Sequence, residues 1–266
     1  IPHLNKIQCV KVFYSHGYSR WKENYSIKEV LLQRNITGAY IEWKTKRYYQ
    51  ILYRHLQKFN LVIYLSELNN SYIYGKCHHL TNGKVLENAV EDIFVSSYMH
   101  HHPQKESGGL KFLYVANYNQ NKNQDMLLRA FCEAQIEECE LIFTGFEENE
   151  YLQMLRTHLR EWCPEKGNKV RFYVHLSRNE IYEMYRTSDV FVSTSLSENC
   201  PIVHCEAAAT GMAVISTNVG NVRQMDGILL VDNIEDVKLA LELLYKDRNE
   251  LIERGRRLRE YMIGRK

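Results

Sequence analysis

Short runs rich in Val, Ile, Phe and Tyr alternate with longer amphipathic stretches along this chain, and that alternation restricts its fold more than any other feature. The runs predict strands at Val10–Ser15, Leu61–Leu65, Val85–Glu87, Lys111–Ala116, Leu141–Thr144, Val170–Tyr173, Val190–Ser193, Ala213–Ser216 and Ile228–Val231. The stretches between them predict helices at Gln124–Ala134, Glu148–Trp162, Arg178–Thr187, His204–Thr210 and Ile234–Tyr245. Parallel strands need a crossover, so this order implies an α/β fold with helices on both faces of a parallel sheet. The rhythm is regular from Lys111 onward. It breaks at Ser96–Gly109, where three histidines, Pro103 and Ser107-Gly108-Gly109 make a polar, turn-rich linker candidate. The expected division is therefore 1–107 and 108–266.

Composition narrows the function classes. A formal net charge of +2 over 266 residues gives no global field for nucleic acid, so no nucleic-acid partner is expected. No apolar run is long enough to cross a bilayer, and the first residues carry no signal-peptide core. Seven cysteines without a metal-ligand spacing suit reduced, small buried thiols in the cytoplasm. His100, His101 and His102 are adjacent in a linker and cannot readily converge on one ion, so neither metal nor cofactor is expected. Arg254, Arg256, Arg257 and Arg259 read as a solvated helix face, with peripheral contact at the inner face of a membrane as the weaker alternative. The chain starts at Ile1 rather than Met, which reads as a processed or truncated product.

Ligands of open α/β sheets bind where strands end and helices begin. Three such junctions carry suggestive residues. Asn117–Lys122 could set a lysine on a phosphate already facing backbone N–H groups, or could be a solvated loop. Thr144-Gly145-Phe146 offers a close approach of backbone to a ligand, or simply a turn. The third runs from Ser195 through Glu198, Pro201 and Glu206 into an Ala-rich helix ended by Gly211. Pro201 sits where a helix can begin, leaving N–H groups around Asn199, Cys200 and Ile202 for an anion. A carboxylate one turn inside could take a ribose diol. An acid there also stabilises a helix through its dipole with no ligand at all.

At this third junction the residues resemble the retaining GT-B glycosyltransferases with a Glu-x7-Glu motif, of the form E-G-F-G-x-x-x-x-E-A-M-A-x-G. The segment from Glu198 to Gly211 reads E-N-C-P-I-V-H-C-E-A-A-A-T-G. Ser188–Val192 before it, Ala213–Gly220 after it and Lys111–Phe131 upstream are similar too, so the resemblance covers about 108–232. It implies two Rossmann-like domains, the first one incomplete here, and transfer of a sugar from a nucleotide-sugar donor to an acceptor hydroxyl with retention. The acceptor would be a glycan, a lipid-linked sugar or another hydroxyl, as in cell-surface polysaccharide biosynthesis. By the same resemblance Lys122 binds phosphate, Glu206 binds ribose, and Glu198 with the turn Asn199, Cys200, Pro201 and Ile202 holds sugar and diphosphate. Gly145 and the His175-Leu176 turn would lie near the base. Phe13–Gly17 resembles the family strand that ends in a catalytic-cleft histidine, here His16, although a structural histidine reads equally well.

Two departures stand out. The family's phosphate-site arginine is Asn117, which removes a fixed bidentate cation. Arg223 is the nearest candidate to replace it. Asn199-Cys200-Pro201 stands for Gly-Phe-Gly, and the proline removes one N–H donor. The runner-up reading is a non-catalytic nucleotide-sugar binder, or a partner subunit of a complete transferase. A dinucleotide oxidoreductase is excluded by the lack of Gly-x-Gly-x-x-Gly after any strand.

Overall fold

The computed structural model describes residues 12–15, 43, 47, 51, 54–65, 82–96 and 109–264. The chain divides into two compact units, Ile1–Glu87 and Asn88–Lys266. Composition put the break some twenty residues later. The difference is a short helix, α1 (Asp92–Ser96), whose Phe94 is fully buried with its ring edge-on to Tyr182 and Tyr185 at 5.7 and 5.4 Å. That apolar anchor ties the segment to the second unit, although the stretch that follows it in the sequence is polar.

In the first unit, strands β1 (Val12–Ser15), β2 (Leu61–Tyr64) and β3 (Gly83–Val85) form a parallel sheet in the order β1-β2-β3. The third strand falls two residues before its expected place. Asn82 fixes the approach to it by donating from Nδ2 to the Phe59 carbonyl at 2.7 Å.

The second unit carries six parallel strands: β4 (Lys111–Val115), β5 (Glu140–Gly145), β6 (Val170–Val174), β7 (Val190–Ser193), β8 (Ala213–Thr217) and β9 (Leu229–Val231). Their order across the sheet is β6-β5-β4-β7-β8-β9. The chain builds outward from β4 in one direction and then returns to start again at β7. Strand order thus reverses between β4 and β7, which opens a crevice at their carboxyl ends.

Strand periodicity decides which helices cover which face. Phe112, Tyr114, Leu141, Phe143, Val190, Val192, Ala213 and Ile215 point to one side. They pack against α2 (Gln124–Glu133), α3 (Glu150–Trp162) and α6 (Ile234–Lys246). The alternate residues Leu113, Ile142, Phe191 and Val214 meet α1, α4 (Arg178–Thr187), α5 (Ile202–Thr210) and α7 (Arg248–Gly264). With both faces covered, the strands are continuous apolar runs.

Local chemistry sets the helix ends. Ser177 and Glu180 form a reciprocal capping box at the start of α4. Lys166 Nζ donates to the carbonyls of Phe131, Cys132 and Ala134 at 2.8 to 2.9 Å, satisfying the C-terminal end of α2. Helix α5 ends at Gly211 in a left-handed conformation, φ 84°. There α7 crosses closely enough that a Cβ on Gly255 would lie 2.1 Å from the Gly211 carbonyl oxygen. Backbone cannot yield as a flexible side chain does, so the clash outweighs alanine's better helix propensity, worth ~1 kcal/mol. Gly255→Ala is expected to lower unfolding free energy by about 1–3 kcal/mol. Urea denaturation checks this, and an unchanged midpoint would show that α7 can back away without cost.

The thiol expectation needs correction at one pair. Cys132 and Cys163, at the C-terminal ends of α2 and α3, form a disulfide with Cα atoms 5.6 Å apart. Folding brings two helix ends together that lie 31 residues apart in sequence. Cys139, Cys200 and Cys205 are free and buried. Of the terminal arginines, Arg256 and Arg257 lie on an exposed face beside Glu253, whereas the half-buried Arg254 and Arg259 bond the carbonyls of Gly227 and Val95. Among the described residues no helix is long and apolar enough to cross a membrane.

Candidate functional site

A cleft of about 500 Å³ opens at the crevice between β4 and β7. Its floor is the carboxyl ends of the strands, from Tyr114 to Asn117, Thr144-Gly145 and Ser193. Two loops wall it, and each is fixed by the other. The Leu196 N–H donates to the Asn121 carbonyl at 2.7 Å, and Asn121 Nδ2 donates to the Ser197 carbonyl at 3.0 Å. Thr194 Oγ1 donates to the Asn123 carbonyl at 2.7 Å. Below them the Tyr114 hydroxyl donates to the Lys122 carbonyl at 2.5 Å and sits 3.1 Å from Ser195 Oγ. Burial pushes that phenol up to about 12, so it remains a neutral strut.

This stitching brings Lys122 and Glu198 together. Their Nζ and Oε1 atoms are 2.5 Å apart, both side chains mostly buried. Among the described residues lining the cleft, Lys122 is the one cation and Glu198 the one anion. Pro201 caps α5, and Ile202 and Val203 open it against the cleft. First-turn N–H groups have no partner inside a helix and carry the positive end of its dipole, so they suit an anion.

The Asn199-Cys200-Pro201 turn is held from outside. Asn88 Nδ2 donates to the Cys200 carbonyl at 2.7 Å, and the Asn221 N–H donates to the Asn199 carbonyl at 3.0 Å. Cys200 Sγ accepts from the Asn88 N–H and from Asn221 Nδ2, each at 3.4 Å. The Cys205 thiol, helped by these donors, draws the Cys200 thiol downward against burial, while Cys205 itself is pushed up. Phenylalanine's place in the family pattern is thus taken by a buried, hydrogen-bonded thiol.

The other end of the cleft is apolar. Phe146, Leu176 and Ile181 line it, with Phe146 69% exposed. Gly145 lines it too, and a Cβ there would strike the Tyr118 ring at 2.3 Å. Packing against Tyr118 therefore explains this glycine as well as ligand approach does. His175 does not line the cleft. It adopts a left-handed conformation, φ 56°, bonds the Phe146 carbonyl through its N–H at 3.2 Å, and meets the Phe146 ring edge-on.

Glu206 is also outside the lining, one turn behind Ile202 and Val203. Its carboxylate is 2% exposed, and Oε1 pairs with Arg178 Nη2 at 2.5 Å. The same guanidinium bonds Glu91 Oε1 at 2.5 and 3.0 Å and lies over the Phe94 ring, 4.9 Å from its centroid. Asn117 lines the cleft, exposed, its carbonyl accepting from Gln124 Nε2 at 3.0 Å. Arg223 does not replace the missing arginine: it does not line the cleft, and its Nε donates to Asn218 Oδ1 at 3.3 Å. His16 and His100–His102 lie outside the described residues. Among the described residues no group of three His, Cys, Asp or Glu could hold a metal ion.

Sequence reading missed Arg178 and Asn88, and gave Phe146 only as part of a turn. The Ser-x-x-Glu box from Ser177 to Glu180 marks where α4 starts, and so puts Arg178 in its first turn. Nothing in the sequence shows that this turn faces α5.

The sequence profile of the "Glycosyl transferases group 1" family matches residues 99–263, more than half of the chain. No curated protein matches by sequence. Among solved structures, the sucrose-phosphate synthase of Thermosynechococcus elongatus is similar with a TM-score of 0.73 at 15% identity, over 99% of this chain and 65% of its own. HepE of Anabaena, solved with UDP and glucose, gives 0.67 at 18% identity, over 96% of this chain and 67% of its own. The pneumococcal O-GlcNAc transferase GtfA, solved with UDP and GlcNAc, gives 0.60 at 18% identity, over 82% of this chain and 44% of its own. The chain thus spans about two thirds or less of the length of these proteins. Identities this low speak to the fold, which is that of GT-B transferases, whereas the profile match speaks to ancestry. This chain belongs to the glycosyl transferases group 1, a retaining family of GT-B architecture.

Proposed function

We propose that the cleft between β4 and β7 binds a nucleoside-diphosphate sugar, with UDP as the nucleotide found in the complexes of HepE and GtfA, for retaining transfer to an acceptor hydroxyl. The observation that carries this reading is the meeting of Lys122, Glu198 and the first turn of α5 at one end of a cleft whose other end is apolar. That polarity matches the donor. The diphosphate takes Lys122 and the α5 amides, the sugar takes Glu198, and the base takes the end formed by Gly145, Phe146 and Leu176.

In transfer, the bond from the anomeric carbon to the diphosphate oxygen breaks while the acceptor oxygen approaches the same face. Negative charge grows on the leaving diphosphate, where fixed N–H groups and Lys122 hold it. The acceptor proton must pass to a base, for which the departing phosphate oxygen is suitably placed. The acceptor is a glycan, lipid-linked or other hydroxyl. A lipid-borne one would bring the protein to the cytoplasmic face of a membrane as a peripheral partner. His16 and the rest of the first unit belong to the acceptor side in this scheme.

Asn117 favours a second reading, a binder or partner subunit without turnover, because an amide cannot supply the missing charge. Titration calorimetry with UDP-glucose and UDP-GlcNAc, beside an assay for released UDP, tests both. Binding with release supports the transferase. Binding without release supports the second reading, and no heat with either donor removes the donor site altogether.

A further inference from the structure

We infer that Cys200 and Cys205 form a thiol pair that a hydroperoxide joins into a disulfide, a modification site in the wall of the cleft. Its effect on nucleotide binding rests on the donor-site reading above, whereas its chemistry does not. Pro201 caps α5, so Cys200 is the residue before the cap and Cys205 the fourth inside the helix. Side chains at these two places pack on one another across the first turn. Here both carry sulfur, and the two thiols interact directly. Cys200 lines the cleft, and Cys205 is buried behind it.

Packing alone would be served by any small apolar pair. What sets this one apart is the set of donors gathered on a single sulfur. Cys200 Sγ accepts from the Asn88 N–H and from Asn221 Nδ2, each at 3.4 Å, beside the N-terminal end of a helix. The Cys205 thiol is a further donor, and together these favour the thiolate of Cys200 against its burial. The same contact and its own burial push Cys205 up, so it keeps its proton. One sulfur is therefore set up to attack and the other to resolve. In the first step the Cys200 thiolate attacks a peroxide oxygen. An S–O bond forms, the O–O bond breaks, and hydroxide leaves to take up the proton that Cys200 gave up. In the second the Cys205 sulfur attacks the Cys200 sulfenic acid. The S–S bond forms, the S–O bond breaks, and the departing hydroxide takes the Cys205 proton. The two thiols lose two electrons, and one hydrogen peroxide becomes two waters. Bonded sulfurs stand about 2 Å apart, closer than thiols in hydrogen-bonding contact, so the Asn199-Cys200-Pro201 turn must move. The amides proposed for the diphosphate move with it.

Peroxide treatment followed by tryptic mapping tests the pair, since 187–223 is one tryptic peptide that holds both cysteines. Hydrogen peroxide in slight excess is expected to make that peptide lighter by two hydrogens, and dithiothreitol to restore them. Cys139, buried and with its thiol pushed up by that burial, is the internal control and should stay reduced. Cys205→Ala should stop instead at a Cys200 sulfenic acid, captured by dimedone. UDP in the cleft should slow the reaction about tenfold, and the joined protein should bind UDP about tenfold more weakly. If the peptide stays reduced until Cys139 is oxidised as well, the pair is packing alone and the proposal fails. Should Cys205→Ala not fold, the wild-type peptide still decides this. A link that forms and leaves UDP affinity unchanged removes the effect on the cleft. If the reduced protein binds no UDP, the donor-site reading fails, and the peptide by itself then decides the thiol chemistry.

Discussion

Lys122→Ala is expected to lower kcat/KM for donor turnover by about 10²- to 10³-fold, the loss typical of removing one group that holds developing charge. The effect should be at the upper end because of what stands around it. With Asn117 in place of the family arginine and Arg223 bonded elsewhere, Lys122 is the one cation among the described lining residues. Glu198 then adds to the loss. Its carboxylate, 2.5 Å from Nζ, would remain in the cleft without its counter-charge and repel the diphosphate. Adding Glu198→Gln to Lys122→Ala should therefore recover part of the donor affinity and little of the turnover. Asn117→Arg should do the reverse of Lys122→Ala, tightening UDP about tenfold and steepening its salt dependence. Steady-state kinetics on these variants decide the matter. A Lys122→Ala protein with wild-type kcat/KM would take the lysine out of the phosphate site.

The limits of what sequence shows follow from the range of the interactions. Strand periodicity is local, so β4 to β9 fall within one or two residues of their expected places, and β7 and α4 fall on them. Helix α5 starts two residues earlier than the apolar pattern suggests, because Pro201 rather than His204 sets its beginning. The Glu-x7-Glu pair is legible as a pattern, yet its two members occupy different surroundings. Glu198 faces the cleft against Lys122, whereas Glu206 is buried against Arg178. These pairings depend on how α4 meets α5 and how two loops are stitched, over separations of 28 and 76 residues. The Cys132–Cys163 disulfide and the attachment of residues 88–96 through Phe94 are of the same kind. No single-sequence pattern encodes them.

Acidification is expected to destabilise the second unit from inside the same motif. His204 is fully buried on α5, its Nε2 2.8 Å from Ser216 Oγ. That hydroxyl donates to the Thr217 carbonyl at 2.9 Å, so Nε2 must carry the ring proton and Nδ1 must be bare. Nδ1 has no hydrogen-bond partner, and the edge of the Phe191 ring offers none. Burial first, then the charge of Lys122, lowers the imidazole from 6.5 to about 3. Between those values the unfolded chain takes up a proton that the folded one refuses. Stability is therefore complete above pH 6.5 and falls by about 1.4 kcal/mol per pH unit below it, a loss of about 2 kcal/mol by pH 5. His204→Gln keeps an amide N–H for Ser216 and cannot titrate. Urea unfolding at pH 7.5, 6 and 5 should show a shallower decline in this variant, whatever its stability at neutral pH. Parallel declines would place the acid sensitivity elsewhere. Because His204 lies in the turn of α5 behind Pro201 and Ile202, its protonation should loosen the N–H groups proposed to hold the diphosphate. Nucleotide affinity is then expected to fall with stability over this pH range, and to fall less in His204→Gln.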